Sequence, residues 1–162
     1  MDLLLDSDRL TAVAACEWAI RAGKASAADV RRVLAAAVRV PRVRRARAWC
    51  DLVDPRSESP LETAIRLVLL DAGLPAPEPQ VSIVDRRGRE IYRIDLGYRE
   101  RRLGIEADGR TVHELPQAVF RDRSRQNALV QRGWVLLRFT WYDAVQRPAY
   151  VVRTVSQALA RS

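Results

Sequence analysis

The sequence predicts a mixed α+β domain with the element order αβββαβα, preceded by a region of helices. Three observations carry that expectation. Apolar residues recur at helical spacing before residue 53 and again after Pro60, short β-patterned runs follow, and turn residues fall between those runs. With 162 residues, 48% of them hydrophobic, the chain can bury one good core and carry a small accessory region.

The elements follow in order. LTAVAACEWAIRAG (10–23) reads as a helix stopped by Gly23, and Ser26 can cap AADVRRVLAAAVRV. Pro41 opens a third candidate helix, PRVRRARAWCDLV. The polar stretch DPRSES (54–59) reads as a linker, which divides the chain into a helical region, 1–53, and a second domain, 54–162. Ser59-Pro60-Leu61-Glu62 has the form of a capping box with proline at the first helical position, so a helix is expected from about 60 to 72. QVSIVD and EIYRIDLGY flank Arg86-Arg87-Gly88-Arg89, which carries the glycine of a hairpin loop. RLGIEAD reads as a third strand, FRDRSRQNALVQRG as a helix ended by Gly133, WVLLRFT as a buried strand and AYVVRTVSQALARS as one last amphipathic helix.

Composition narrows the partners. The net charge of +8 and pI of about 10.6 favour a polyanion, nucleic acid before an anionic membrane surface. No apolar run reaches the length of a membrane span, and MDLLLDSDR lacks the basic flank and cleavage site of a signal peptide, so a cytoplasmic protein is expected. Cys16 and Cys50 lie in apolar helical patterns without metal spacing, which suits buried thiols and excludes a cysteine zinc site. Lys24 is the only lysine.

The acidic residues carry the chemistry. Strand alternation puts Glu106 and Asp108 on the face of Gly104, opposite Leu103, Ile105 and Ala107. Asp95 in the preceding strand lies near Glu106 if the two strands pair antiparallel. Strand interiors disfavour Asp, and clustered carboxylates repel unless a cation neutralises them, so Mg²⁺ or Mn²⁺ is the natural ligand of Asp95, Glu106 and Asp108. The alternative for each residue alone is structural: a turn at Asp108-Gly109, a solvated Glu106, an Asp95 paired with arginine.

RIDL (93–96), IEADG (105–109) and HELPQAVFRDRSRQNALVQRGWVLLRFT (113–140), in that order, resemble the uncharacterised endonuclease-like proteins related to very-short-patch repair endonucleases, within the PD-(D/E)XK nuclease superfamily. The resemblance covers about residues 57–160. It implies a restriction-endonuclease-like αβββαβ core, a divalent metal held by Asp95 and Glu106, and hydrolysis of nucleic-acid phosphodiesters, DNA foremost. It assigns an assisting role to Glu62, which the capping box explains equally well. The superfamily would place lysine at position 108, where this chain has Asp108; Asp108 then becomes a further ligand, and Arg125, or less so Arg121, the substitute cation. His113, the only histidine, is a candidate general acid or base, against the bland alternative of an exposed loop residue. A structural zinc site like that of the repair enzymes cannot be rebuilt from these residues.

Arg121, Arg123 and Arg125, with Arg42, Arg44 and Arg45, are candidate phosphate contacts, although charge runs are commonly solvated helix faces. Trp134 and Phe139 suit the core, whereas Trp141 and Tyr142 stay open between packing and base stacking. The leading expectation is thus a metal-dependent endonuclease. The alternative is a silent nucleic-acid-binding module of a toxin-antitoxin or defence system. The N-terminal helices are a candidate surface for a homodimer.

Overall fold

In the computed structural model, residues 5–37, 41–109, 127 and 129–161 are described. Three helices come first: α1 (Arg9–Arg21), α2 (Ala27–Ala36) and α3 (Val43–Cys50). Asp8 caps α1 by accepting from the Thr11 amide, and Ser26 with Asp29 forms a capping box at α2. Gly23 follows α1 at φ 65°, the left-handed conformation that favours glycine. The third helix begins two residues later than Pro41 led one to expect. Arg42 sits at φ 65°, outside helical space, so propagation can start only at Val43.

The second part opens with α4 (Pro60–Asp71), followed by β1 (Glu78–Val84), β2 (Glu90–Tyr98) and β3 (Leu103–Asp108), then β4 (Val135–Thr140), α5 (Trp141–Gln146) and α6 (Pro148–Arg161). The sheet order is β1-β2-β3-β4. The first two pairings are antiparallel, joined by a hairpin with Gly88 at φ 75° and by a 3₁₀ turn at Arg99–Arg101. β3 and β4 are parallel, which requires the long crossover between them. The expected strand order is therefore present as a mixed sheet, and the segment between β3 and β4 lies largely outside the described residues.

One prediction changes at the end of the chain, and one element is added. β4 was expected to be a buried strand, but Phe139 is its only fully buried residue and Val135 is half exposed; among the described residues β4 pairs with β3 alone, at the edge of the sheet. The expected last helix is present as α6, opened by Pro148, and a short helix not anticipated, α5, precedes it, started by the capping box of Thr140 and Asp143.

Both faces of the sheet are covered. Leu61, Ile65 and Leu69 of α4 pack with Leu96, Leu103, Ile105 and Phe139, and with Val151 and Val155 of α6. Val81, Ile83 and Ile94 pack with Leu129 and Trp134 on the opposite face. On that second face Gly104 is a necessity, since a Cβ there would lie 2.8 Å from Leu136 and 2.9 Å from Ile94. The N-terminal helices dock on α4 through a buried group. Glu17, 1% exposed, accepts from the Thr63 hydroxyl, the Arg66 guanidinium and the Asp54 amide.

Candidate active site

A local failure of regular pairing creates the site. The β2–β3 ladder runs through Tyr98↔Leu103, Gly97↔Gly104 and Leu96↔Ile105 and then stops. One residue beyond, the Asp95 carboxylate takes the place of a backbone acceptor, its Oδ2 receiving the Ala107 amide at 2.9 Å. On its other side, Asp95 stands across from Gln80, between the pairs Pro79↔Leu96 and Val81↔Ile94. Gln80 has φ 55°, a left-handed backbone uncommon for a side-chain-bearing residue. Simple alternation also breaks here: Ile94 packs in one core and Leu96 in the other, although they are two residues apart. Asp95 thus sits in a gap between strands rather than on a flat face.

The start of α4 closes the gap. Glu62 is 4% exposed and accepts from the Ser59 hydroxyl at 2.7 Å, the Glu58 amide at 2.8 Å and Gln80 Nε2 at 2.9 Å. The predicted capping box is present in altered form, with the carboxylate reaching one residue further back, to Glu58, and out to β1. Capping and site membership coincide in this one side chain. Burial pushes the Asp95 carboxyl up to about 6 against the pull of the Ala107 amide, and the charges of Glu62, Glu106 and Glu58 push in the same direction as burial.

Glu106 and Asp108 lie on the face of β3 opposite Leu103 and Ile105, as alternation predicts. Glu106 is already partnered: it accepts from the Tyr92 hydroxyl and from Arg138 Nε at 2.8 Å, Arg138 being its neighbour in β4. Asp108 ends β3 beside Thr140. Among the described residues no group of three or more His, Cys, Asp or Glu side chains is arranged to hold a metal ion. Asp95, Glu62 and Glu106 offer hard carboxylate oxygens of the kind that Mg²⁺ or Mn²⁺ takes, but Glu62 is held by Ser59, Glu58 and Gln80, and Glu106 by Tyr92 and Arg138.

His113, Arg121, Arg123 and Arg125 lie outside the described residues. Of the N-terminal arginines, Arg42 pairs with Asp6 at 3.1 Å, and Arg45 donates to the Leu5 carbonyl and lies 4.5 Å over the Trp49 ring. Arg44 is exposed. α3 packs on α1 and α2, so these three belong to the helical region and not to the acidic centre. Four contributors escaped the sequence reading: Glu58, Gln80, Tyr92 and Arg138. Only the parallel register of β4 brings Arg138 to Glu106, and no local spacing signals that.

This fold and this centre define a restriction-endonuclease-like domain. Residues 77–159 match the family model described as REase_MTES_1575, and the chain belongs to that family. It is 28% identical over 154 residues, 95% of the chain, to Uncharacterized protein MT2308 and to Uncharacterized protein Rv2248, from Mycobacterium tuberculosis strains CDC 1551 / Oshkosh and H37Rv. The match covers 56% of each of those proteins, so the chain spans about half the length of the curated relatives it matches. No solved structure matches. Among the described residues no helix is long and apolar enough to cross a membrane.

Proposed function

We propose that this domain is a metal-dependent endonuclease that hydrolyses phosphodiester bonds, with DNA as its substrate. The observation that carries the reading is Asp95: a half-buried strand carboxylate in a gap, pushed up to about 6 by partial burial and by neighbouring carboxylates, in a family of restriction-endonuclease-like proteins. Asp95 and Glu106 hold the ion, with Asp108 as a further ligand at the strand end. Bound there, a divalent ion supplies a water of lowered pKa and neutralises charge developing on the phosphate.

The protein's own residues do the rest. Glu62, fixed by three donors, keeps Asp95 electrostatically poised for a cation and orients Gln80 beside it. Arg138, the ion-pair partner of Glu106, would supply a fixed cation beside the centre where Asp108 stands in place of a lysine. Arginine stabilises charge and does not serve as a base, so proton removal falls to a carboxylate, or to His113.

The test is a cleavage assay on single- and double-stranded DNA and RNA with Mg²⁺ or Mn²⁺ and an EDTA control. Asp95→Asn and Glu106→Gln should each lower the rate at least about 100-fold, ~2.7 kcal/mol of transition-state stabilisation. Full activity in both variants sinks the proposal. A second reading, a silent nucleic-acid-binding module, is favoured by one feature, the ion pair that already occupies Glu106. Calorimetric titration with Mn²⁺ separates the two, since a silent module has no need to bind the ion.

A further inference from the structure

Trp141 and Tyr142 have no part in the chemistry above, yet the fold delivers them to the same place. β3 and β4 run parallel and in register, Glu106 beside Arg138 and Asp108 beside Thr140, so both strands emerge at one end of the sheet. α5 begins at the next residue. Its first turn is fixed by a reciprocal cap in which the Asp143 carboxylate accepts from the Thr140 amide at 3.0 Å and the Thr140 hydroxyl at 2.7 Å, while the Asp143 amide donates to the Thr140 hydroxyl oxygen. Ala144 is buried at 3%, which turns the other side of the helix outward: Trp141 is 48% exposed, Tyr142 61% and Val145 42%. Residue 145 lies one turn from both 141 and 142, so the three side chains form one patch.

Apolar surface held in water beside an acidic centre marks a contact site. Its chemistry points to one occupant. Two of the three side chains are aromatic, and cations bracket them along the chain: Arg138 before the helix, paired with Glu106, and Arg147 at its end, 4.0 Å from Asp143, its side chain 53% exposed and its guanidinium 4.7 Å from the Tyr150 ring. The whole chain carries a net charge of +8. A flat ring attached to an anionic backbone complements that interleaving of rings and arginines better than an aliphatic protein surface does.

We propose that the Trp141–Tyr142 face of α5 is a stacking platform for unstacked bases of single-stranded nucleic acid, set beside Asp108 so that the adjoining backbone passes the acidic centre. The inference rests on the nuclease reading for its ligand class and adds the strand form. Bases of an intact duplex are stacked on one another and cannot lie on these rings. A duplex is left with phosphate contacts alone.

The test measures binding in EDTA, with no cleavage, to labelled oligonucleotides of about 15 residues, a length matched to typical single-strand sites. The probes are a single strand of DNA, a strand of abasic residues with the same number of phosphates, and a blunt duplex. Replacing both rings, Trp141→Ala with Tyr142→Ala, should weaken single-strand binding about tenfold or more, since aromatic stacking is what the variant removes. Binding of the abasic strand and of the duplex should change less than about twofold, because phosphate contacts remain. The pair Trp141→Phe with Tyr142→Phe keeps the rings and should restore single-strand binding. Equal losses on all three probes, unchanged binding of the single strand, or wild-type protein that binds no single strand would each overturn the platform. A stacking signal in a protein that never cuts leaves the platform standing without the nuclease. Cleavage that survives the double alanine variant with no stacking signal removes the platform alone.

Discussion

Two carboxylates lie against helix α4, Glu17 fully buried and Asp95 half-buried, and their surroundings are built in opposite ways. On one side Glu17, 1% exposed, is met by the Thr63 hydroxyl, the Asp54 amide and Arg66. Burial pushes its carboxyl up, and those donors pull it down. On the other side Asp95 has one described donor, the Ala107 amide, and faces the charges of Glu62, Glu106 and Glu58. Thr63 and Glu62 are adjacent in the helix yet serve different centres. A carboxylate supplied with donors and a cation fastens one part of the molecule to another. A carboxylate surrounded by its own kind destabilises the fold until a cation arrives, and that distinction separates a structural charge from a candidate catalytic one.

The largest effect that can break this comparison lies at Glu17. Glu17→Ala strands Arg66 in the interior and should cost about 3–5 kcal/mol in urea unfolding, in line with other broken buried pairs. The double change Glu17→Met with Arg66→Leu should recover much of that loss, because the cation goes with its partner; the Asp54 amide, left without Glu17, keeps recovery incomplete. If Glu17→Ala is neutral, the pair does not fasten the helical region to α4, and the contrast with Asp95 fails.

How much of this was legible in the sequence differs between the two centres. Asp95, Glu106 and Asp108 could be placed near one another because strand periodicity is local and the Arg99–Arg101 turn is short. The Glu17–Arg66 pair spans 49 residues, and no spacing rule anticipates it. The same limit hid Arg138, which reaches Glu106 only through a parallel crossover, and hid the edge position of β4, because WVLLRFT is equally apolar in a central strand or an outer one. Gln80 shows a third kind of blindness: its φ of 55° answers the distortion at Asp95 across the hairpin, not anything in QVSIVD itself. The short helix α5 was readable, since Thr140 and Asp143 have capping-box spacing, but its six residues are too few to show a helical period.

The smaller effect, at Asp95, sharpens the comparison through its sign. The folded-state carboxyl titrates near 6, above the usual aspartate range, so the native protein holds this proton more tightly than the unfolded chain does. The stability that the neutral form contributes is fully present below about pH 4, the unfolded value, and is lost as pH rises through about 6. Asp95→Asn removes the titration, so metal-free Asn variant and wild type should diverge across that window, the variant becoming the more stable at neutral pH. Millimolar Mg²⁺ should then raise the melting temperature of the wild type at pH 7.5 and leave Asp95→Asn unmoved, by the ordinary linkage of binding to folding. Should the Asn variant be the less stable at neutral pH, or gain as much from Mg²⁺ as the wild type, Asp95 would belong with Glu17 among the structural charges, and the metal centre would have to be sought elsewhere.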